Sequence, residues 1–345
     1  MIMNWKNKIA NHHQIGGIET FIIDNGAGKG SRIAWINTGG GLRFKVLIDR
    51  AMDIGEASLR QYNLSWLSHK GTALSPASAM PSPNRWLDLF GGGLLTTCGL
   101  THIGKAETDI YGERELNGSI GFQPAEIISV IQPDLTQDKP EMKLIGLIKE
   151  STPFGYQLEL KRTISCKLGE NSIQIEDIVT NTGNTVTPHM LLYHCNFGWP
   201  LVDEEAEIYW NGTVESRGLP ADDLLFKTGD FRHFRKPVEP NEKEGDACGF
   251  IDAIPDKDGL CRCGIINRKI GTAVQISYNP LQLPQLTNWQ RWIKNEYAVA
   301  IEPGTNTPSG QAKARNDRQL IFLAPGESKR YQLQIEGITG NDENL

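Results

Sequence analysis

Two polar residues break otherwise apolar strand patterns in this sequence, and their chemical types suit proton transfer. In TPHMLLYHCNFGWP, strand alternation places His194 and Asn196 on one face. In YAVAIEPGTN, the same alternation places Glu302 beside the small residues Ala298 and Ala300. An imidazole with a reference pKa of about 6.5 can give and take a proton near neutrality, and an ionised carboxylate is a complementary acceptor. The pair therefore predicts reversible proton chemistry on neighbouring strands, with the side chains about 5–9 Å apart across a bound substrate.

Both residues also have purely structural interpretations. A buried histidine is commonly satisfied by a backbone carbonyl. A glutamate at the rim of a sheet can form a salt bridge, here with Arg291, Lys294 or Arg315. The pattern of residues alone leaves these interpretations open.

Other reaction classes fit this sequence less well or need further groups. No serine stands in a G-x-S-x-G elbow, and no cysteine has the flanks of a catalytic thiolate. Glycoside hydrolysis requires a second carboxylate about 5–10 Å from Glu302. Asp177, Asp203 and Asp252 are candidates for it, so a glycoside hydrolase or lyase stays an alternative.

The elements that position these residues are predicted to be antiparallel strands. Alternation with a period of two residues predicts strands at 18–24, 31–37, 42–48, 142–150, 156–166, 172–180, 187–197, 206–211, 272–279, 297–302 and 329–336. Non-strand segments are expected at 75–90, 132–140 and 217–247, and the glycines at 39–41 predict a hairpin turn. The fold class is therefore all-β, with two large stacked antiparallel sheets and few helices.

Composition excludes several classes of partner. The chain has 345 residues, 39% hydrophobic and 22% charged, with a formal net charge of −6. Because no basic run offsets this acidity, nucleic acid is not an expected partner. No stretch of about 18 apolar residues is present, so no membrane span is expected, and the chain is expected to be cytoplasmic.

Six cysteines are scattered through the chain, and only Cys261 and Cys263 lie close together. A C-x-C pair on a strand leaves a tetrahedral zinc site two ligands short. Buried, reduced thiols are expected, together with neither a metal nor a cofactor.

Four segments together resemble one protein family. They are IDRAMDIGEASLRQYNLSW, FGGGLLTTCGL, PHMLLYHCNFGWPLV and YAVAIEPGTN, and the resemblance runs from about residue 15 to 336. The chain resembles the aldose 1-epimerase-related proteins of the DUF4432 family. This resemblance implies a single galactose mutarotase-like domain over 1–345, a β-supersandwich that binds carbohydrate in a cleft on one sheet.

The resemblance also implies roles for individual residues. His194 in LLYHCNFG matches the histidine that protonates the sugar ring oxygen, and Glu302 in AIEPGTN matches the carboxylate that takes the anomeric proton. Arg50 in IDRAMDI resembles a sugar-binding arginine, with Asp53 as a residue that orients it. A surface ion pair of Arg50 and Asp53, contributing about 0–1 kcal/mol, is the structural alternative.

One loop departs from the family pattern. Where the family has Leu-His-Gly-Arg-Ile, this sequence has Leu-Asn-Gly-Ser-Ile at 116–120, so Asn117 stands in place of a histidine that helps to hold the sugar. Either the substrate differs, or His102 supplies the missing imidazole and reaches the same sugar hydroxyl as Asn117.

Sugars stack on aromatic rings, so the tryptophans are candidates for the wall of a cleft. Trp66 follows a polar serine and Trp289 lies in LTNWQRW, which is interpreted as a polar loop. Together with Asn196, these residues complete the expected substrate site. The sequence thus predicts a mutarotase-like isomerase for a monosaccharide or sugar derivative, a possible homodimer. A carbohydrate-binding protein without turnover is the non-enzymatic alternative.

Overall fold

Antiparallel strands make up most of this chain. The computed structural model describes residue 5 and residues 7–71, 85–240 and 246–340. A five-stranded sheet runs, in order, β1 (Gly17–Ile22), β2 (Arg32–Asn37), β3 (Leu42–Leu47), β4 (Asp53–Leu59) and β5 (Tyr62–Asn63). An eight-stranded sheet has the spatial order β14 (Glu207–Trp210), β17 (Cys261–Asn267), β18 (Thr272–Tyr278), β22 (Ser328–Thr339), β12 (Ser172–Asn181), β11 (Gln157–Lys167), β10 (Glu141–Ser151) and β9 (Ala125–Ile131).

A seven-stranded sheet carries the predicted acid–base pair. Its spatial order is β15 (Gly212–Ser216), β16 (Ala247–Ala253), β19 (Gln285–Ile293), β20 (Glu296–Gly304), β13 (Thr187–Phe197) and β21 (Ile321–Leu323), and β6 (Thr96–Leu100) also pairs with β13. A small hairpin is formed by β7 (Glu107–Asp109) and β8 (Gly112–Arg114). The helices of the described chain are α1 (Arg85–Asp88), α2 (Pro220–Phe226) and α3 (Gln311–Asn316). Short 3₁₀ turns lie at His12–Gln14, Gly26–Gly28, Ile120–Phe122 and Arg268–Ile270.

The predicted strands and the hairpin are confirmed, and the all-β prediction with them. Gly39 and Gly41 have φ values of 74° and 119° in the turn that joins β2 to β3, where glycine adopts positive φ at little cost. The segments 132–140 and 217–247 are non-strand as expected over their described residues, except for Ala247, which begins β16, and the second segment contains α2. Residues 241–245 lie outside the described part of the chain. The remaining predicted non-strand segment is 75–90. Its residues 75–84 lie outside the described part of the chain, and α1 begins directly after them.

Both faces of β13 are buried, but against different partners. Leu191, Tyr193 and Cys195 lie in the large core between the sheets. Met190 and Leu192, on the opposite face, pack in a smaller cluster with Trp86 and Cys98 among others. Since His194 shares its face with this smaller cluster, that face carries the site.

A buried polar network ties the site strands to the eight-stranded sheet. Arg162 on β11 donates from Nε and Nη2 to the two carboxylate oxygens of Asp177, at 2.9 and 2.6 Å. Its Nη1 donates to Thr97 Oγ1 on β6 at 2.9 Å, and Thr97 in turn donates to Asp53 at 2.6 Å. A buried polar network whose members are hydrogen-bonded rigidifies the packing of the strands that it joins.

All six cysteines are buried and free. Desolvation raises the pKa of the Cys98 and Cys195 thiols well above its usual range. Cys261 Sγ lies 3.7 Å from the carbonyl oxygen of Ala253, so this thiol has a backbone partner. In the portion that the structure describes, no helix is long and apolar enough to cross a membrane.

Candidate active site

His194 and Glu302 face each other on neighbouring antiparallel strands. Cys195 on β13 pairs with Ile301 on β20, so the preceding residue on β13, His194, lies opposite the following residue on β20, Glu302. His194 Nε2 is 3.2 Å from Glu302 Oε1. The expected separation of about 5–9 Å is therefore wrong, because directly opposite residues of an antiparallel pair have Cβ atoms only about 4.5–5.5 Å apart.

The structural alternatives for these two residues are not observed. The cations considered as partners of Glu302 are engaged elsewhere: Arg291 with Glu296, Lys294 with Glu239, and Arg315 with Gln311. His194 Nε2 contacts the carboxylate rather than a backbone carbonyl, and its Nδ1 has no hydrogen-bond partner among the described residues. The contact between Nε2 and Oε1 is therefore the polar contact that joins the two side chains.

Burial determines the charge state of the pair. Glu302 is 3% exposed, and desolvation raises the pKa of its carboxyl to about 8, against a smaller lowering by the positive charge of Arg217. Desolvation also lowers the pKa of His194 to about 4. Both shifts disfavour the charged forms. Near neutrality the favoured state is therefore a neutral imidazole beside a protonated carboxyl. The imidazole nitrogen and the carboxyl group thus share one dissociable proton.

A straight row of side chains crosses the sheet through this pair. Thr96 on β6 pairs with His194, Glu302 pairs with Thr287 on β19, and Thr287 pairs with Phe250 on β16. Paired residues of an antiparallel sheet point to the same face. The Thr287 hydroxyl is buried and has no partner in the described chain, so it is a free polar group beside Glu302.

Aromatic rings surround the imidazole of His194. Ring centroids lie at 5.9 Å for Trp86, 5.5 Å for Phe90 and 6.2 Å for Trp289. Trp86 and Phe90 are themselves stacked at 4.3 Å. Sequence reasoning missed these two residues, although the aromatic side chains of RWLDLF stand directly before a glycine run and were a usable signal.

The structure places the two predicted tryptophans differently. Trp289 pairs with Ala300 and shares the face of the catalytic candidates. It lies on β19 rather than in a loop, so the loop interpretation is wrong. The ring centroid of Trp66 lies 5.7 Å from that of Phe90. Trp66 therefore contacts Phe90, which in turn contacts His194.

Asn196 is fully buried, and its amide serves the backbone. Its Nδ2 donates to the carbonyl oxygens of Gly93 at 3.0 Å and of His194 at 2.9 Å. These bonds hold Gly93 against β13. The Oδ1 of Asn196 is buried without a hydrogen-bond partner among the described residues, and a contact between Asn196 and a substrate stays a prediction.

Arg50 lies in the turn between β3 and β4 and is 6% exposed, which rules out the surface ion pair. Asp53 accepts from the backbone and hydroxyl of Thr97 instead, and forms a salt-bridge contact with Arg162 at 3.4 Å. Arg50 Nη1 is buried without a partner in the described chain, and burial lowers the pKa of the guanidinium. Within the described residues no hydrogen bond or ion pair joins Arg50 to His194 or Glu302, and its sugar-binding role stays a prediction.

His102 and Asn117 each have a partner in the loop backbone, and their predicted contact with one sugar hydroxyl stays a prediction. His102 is 1% exposed, and its Nε2 lies 2.9 Å from the carbonyl oxygen of Lys105. Asn117 has a φ of 57°, and its Oδ1 accepts from the backbone of Gly104 at 2.9 Å. Because these polar groups bind loop backbone, both residues hold the 99–118 region together.

Two of the carboxylates considered for glycoside hydrolysis are engaged elsewhere. Asp177 binds Arg162 between the sheets, and Asp203 lies 3.8 Å from Lys269. Asp252 on β16 pairs with Thr213 on β15. It lies on the face of Glu302 but nearer the end of its strand. The described residues contain no group of three or more His, Cys, Asp or Glu placed to hold a metal ion.

The comparisons with known proteins agree with this architecture. The sequence pattern of the DUF4432 family, described as a domain of unknown function, matches residues 28–336. No curated protein matches the chain.

Several crystal structures share the fold. One, provisionally assigned as an aldose 1-epimerase from Klebsiella pneumoniae, has a TM-score of 0.86 at 23% identity, over 98% of this chain and 90% of that one. A galactose mutarotase-like protein from Clostridium acetobutylicum has a TM-score of 0.62 at 12% identity, over 94% and 98%. A galactose 1-epimerase from Lactobacillus acidophilus has a TM-score of 0.58 at 12% identity, over 94% and 99%. The predicted galactose mutarotase-like fold is confirmed.

Proposed function

Because this chain belongs to the DUF4432 family, and its fold is galactose mutarotase-like, we propose that it is an aldose 1-epimerase-like isomerase. Its proposed substrate is a free monosaccharide or sugar derivative, whose two anomers it interconverts. The observation that carries the proposal is the 3.2 Å contact between His194 Nε2 and Glu302 Oε1 on one sheet face.

The pair holds the number of protons that anomer exchange requires. Transfer of the shared proton from Glu302 to His194 gives a carboxylate beside an imidazolium. Glu302 then takes the proton of the anomeric hydroxyl while His194 protonates the ring oxygen. The bond between the anomeric carbon and the ring oxygen breaks as the carbonyl forms. Rotation about the first carbon–carbon bond and reversal of these steps give the other anomer and restore the pair.

The short separation of the two side chains is compatible with this chemistry. The ring oxygen and the anomeric hydroxyl are bonded to the same carbon, so a donor and an acceptor that serve them can be neighbours. The sugar would therefore lie against His194 and Glu302, not between them. Approach of the substrate replaces part of their mutual contact and positions both groups on one reacting centre.

The aromatic rings around His194 support a carbohydrate ligand. Trp86, Phe90 and Trp289 present apolar faces on which the C–H groups of a sugar can pack. They also limit water around the pair, which strengthens the electrostatic interactions of the proton transfer. No metal is needed for these steps, so we expect turnover to survive chelation.

Anomer exchange measured by NMR on freshly dissolved sugars tests the function. We expect Glu302→Gln and His194→Asn each to lower turnover about 100-fold or more, the scale of general acid–base catalysis. Glu296→Gln is a matched control, since Glu296 begins the same strand and pairs with Arg291. Unchanged exchange in Glu302→Gln would contradict the mechanism. New reducing ends released from a glycoside would instead indicate hydrolysis, and binding without exchange would indicate a binding protein.

A further inference from the structure

Arg217 extends the site to the far edge of the sheet face. The β15–β16 register ends with Ser216 opposite Gly249, and the backbone N–H of Arg217 donates to the carbonyl oxygen of Cys248 at 3.1 Å. Strand alternation therefore places the Arg217 side chain on the face of Cys248. Cys248 pairs with Trp289, whose ring lies near the acid–base pair. Trp289 thus lies between that pair and the arginine.

A buried carboxylate fixes the Arg217 guanidinium in one orientation. Nε and Nη2 donate to the two oxygens of Asp222 at 2.9 and 3.0 Å. Asp222 is fully buried and also accepts from the backbones of Leu219 at 2.9 Å and Cys248 at 2.8 Å. The Arg217 side chain is 33% exposed, and its Nη1 has no partner among the described residues. Two N–H donors are therefore held ready at an accessible position.

The charge of this guanidinium is already offset. Asp222 forms the bidentate pair, and Asp246 lies 3.4 Å from Nη2. Two carboxylates beside one guanidinium leave no excess positive charge to attract an anion. A hydroxyl group can still accept from the free Nη1 without being repelled. The arrangement therefore favours neutral hydroxyl groups over a carboxylate or a phosphate.

Three other cations that could attract an anionic substrate are also paired with carboxylates. Lys45 pairs with Glu56 at 3.2 Å, Arg85 with Glu115 at 2.5 Å, and Arg291 with Glu296. The positive charge of Arg217 also acts on Glu302, where it lowers the carboxyl pKa against the larger effect of burial. This electrostatic effect is what the placement of both residues on one face predicts.

We propose that Arg217 is a substrate-binding residue that donates hydrogen bonds to hydroxyl groups of an uncharged sugar, at the end of the sheet face remote from His194 and Glu302. The sugar ring lies over Trp289, and the anomeric carbon lies at the acid–base pair. This inference rests on the function proposed above. It adds a specificity determinant that lies three strands away from Glu302.

The test combines arginine variants with matched sugars. The probes are D-glucose, D-galactose and D-mannose, each compared with its uronic acid and its 6-phosphate, with binding measured by saturation-transfer NMR. We expect the wild type to bind at least one neutral sugar more tightly than its charged counterparts. Arg217→Met should weaken that binding about 10- to 100-fold, the range for losing hydrogen bonds from a charged donor. Arg217→Lys keeps the charge beside Asp222, so its sugar affinity should lie between those of the wild type and Arg217→Met.

Further variants separate a binding role from a structural one. Arg217→Met should raise KM more than it lowers kcat, because the contact is made in both ground and transition states. Asp246→Asn removes one offsetting charge and should improve uronic acid binding relative to the neutral sugar several-fold. Arg268→Met is the control, since Arg268 is also a part-exposed arginine paired with a carboxylate, Glu207. Urea unfolding of every variant identifies those that fail to fold. If Arg217→Met fails to fold, Arg217→Lys is compared with the wild type instead.

The results that overturn the inference are distinct from those that overturn the function. Equal neutral-sugar affinity in wild type, Arg217→Met and Arg217→Lys overturns it, as does a wild-type preference for the charged sugars or no neutral-sugar binding at all. If binding depends on Arg217 but exchange persists in Glu302→Gln, the proposed function fails and the binding role stands. If exchange requires Glu302 and ignores Arg217, the inference alone fails.

Discussion

The Tyr193 hydroxyl donates to Asp177 Oδ2 at 2.7 Å, across the space between the two large sheets. Tyr193 precedes His194 on β13, so the two side chains point to opposite faces of that strand. Asp177 is held in turn by Arg162, and both are fully buried. On the face of β13 opposite His194, the polar contacts of Tyr193 with the eight-stranded sheet therefore fix the strand that positions the imidazole.

Removing the Tyr193 hydroxyl tests this connection. We expect Tyr193→Phe to lower the free energy of unfolding by about 1–3 kcal/mol, because one hydrogen bond to a buried carboxylate is lost. Urea unfolding measures the change. Tyr209→Phe is the control, since the Tyr209 hydroxyl bonds Gln275 at 3.2 Å in a less buried position. Equal effects of the two substitutions would contradict a special role for Tyr193.

The pH dependence of anomer exchange should report the acid–base pair. Between the pKa values of about 4 for His194 and about 8 for Glu302, the pair holds one proton. Below this range it gains a second proton, and above it the shared proton is lost. We expect kcat/KM to be flat between these limits and to fall outside them. In the residual activity of Glu302→Gln, the fall of kcat/KM above pH 8 should be absent. If that fall persists, it reports the titration of a group other than Glu302.

The burial of Glu302 should also make stability depend on pH. Its carboxyl has a pKa of about 8 in the folded protein, against 4.5 for the ordinary group. Its contribution is fully present below pH 4.5 and is lost as the pH rises through 8, because the unfolded chain releases the proton first. Relative to wild type, Glu302→Gln should gain up to about 1.4 kcal/mol of stability per pH unit across this window.

Urea unfolding at several pH values measures this difference. Glu296→Gln, at the exposed start of the same strand, should show no such gain. A difference between Glu302→Gln and wild type that stays constant with pH would mean that Glu302 ionises normally in the folded protein.

Strands with a clear alternation were predictable from sequence, whereas β19, whose buried face includes two amide side chains, was not. In β19, Asn288 and Gln290 gave LTNWQRW the look of a loop. Both are buried: Asn288 donates to the carbonyl oxygen of Ala300 at 2.8 Å, and Gln290 to that of Phe231 at 2.9 Å. A buried amide that finds a backbone acceptor costs little. The polarity of the segment therefore carried no information about its exposure. Every residue of β6 is buried, so it has no alternation to detect.

The contact between His194 and Glu302, the proposed acid–base pair, was predictable because both residues interrupt apolar strands. Their separation was not, since it depends on the register between β13 and β20, and no pattern within either strand specifies that register. Arg217 was missed for a related reason. It follows a short edge strand, and its role depends on Asp222 of α2, which lies in a segment expected to be a loop.

Asn117 provides the sharpest test of the loop that departs from the family pattern. Its φ of 57° lies in the left-handed region, where asparagine is tolerated better than most residues, and its Oδ1 accepts from the backbone of Gly104.

Asn117→Asp keeps the acceptor and should stay near wild-type stability. Asn117→Gly keeps the backbone conformation but loses the bond. Asn117→Ala and Asn117→His lose the Oδ1 acceptor and strain the backbone, so each should cost about 1–3 kcal/mol. Unfolding in urea should rank the four variants in that order. If Asn117→His instead raised sugar affinity at unchanged stability, Asn117 would belong to the substrate site, and the assignment of this loop as structural would be wrong.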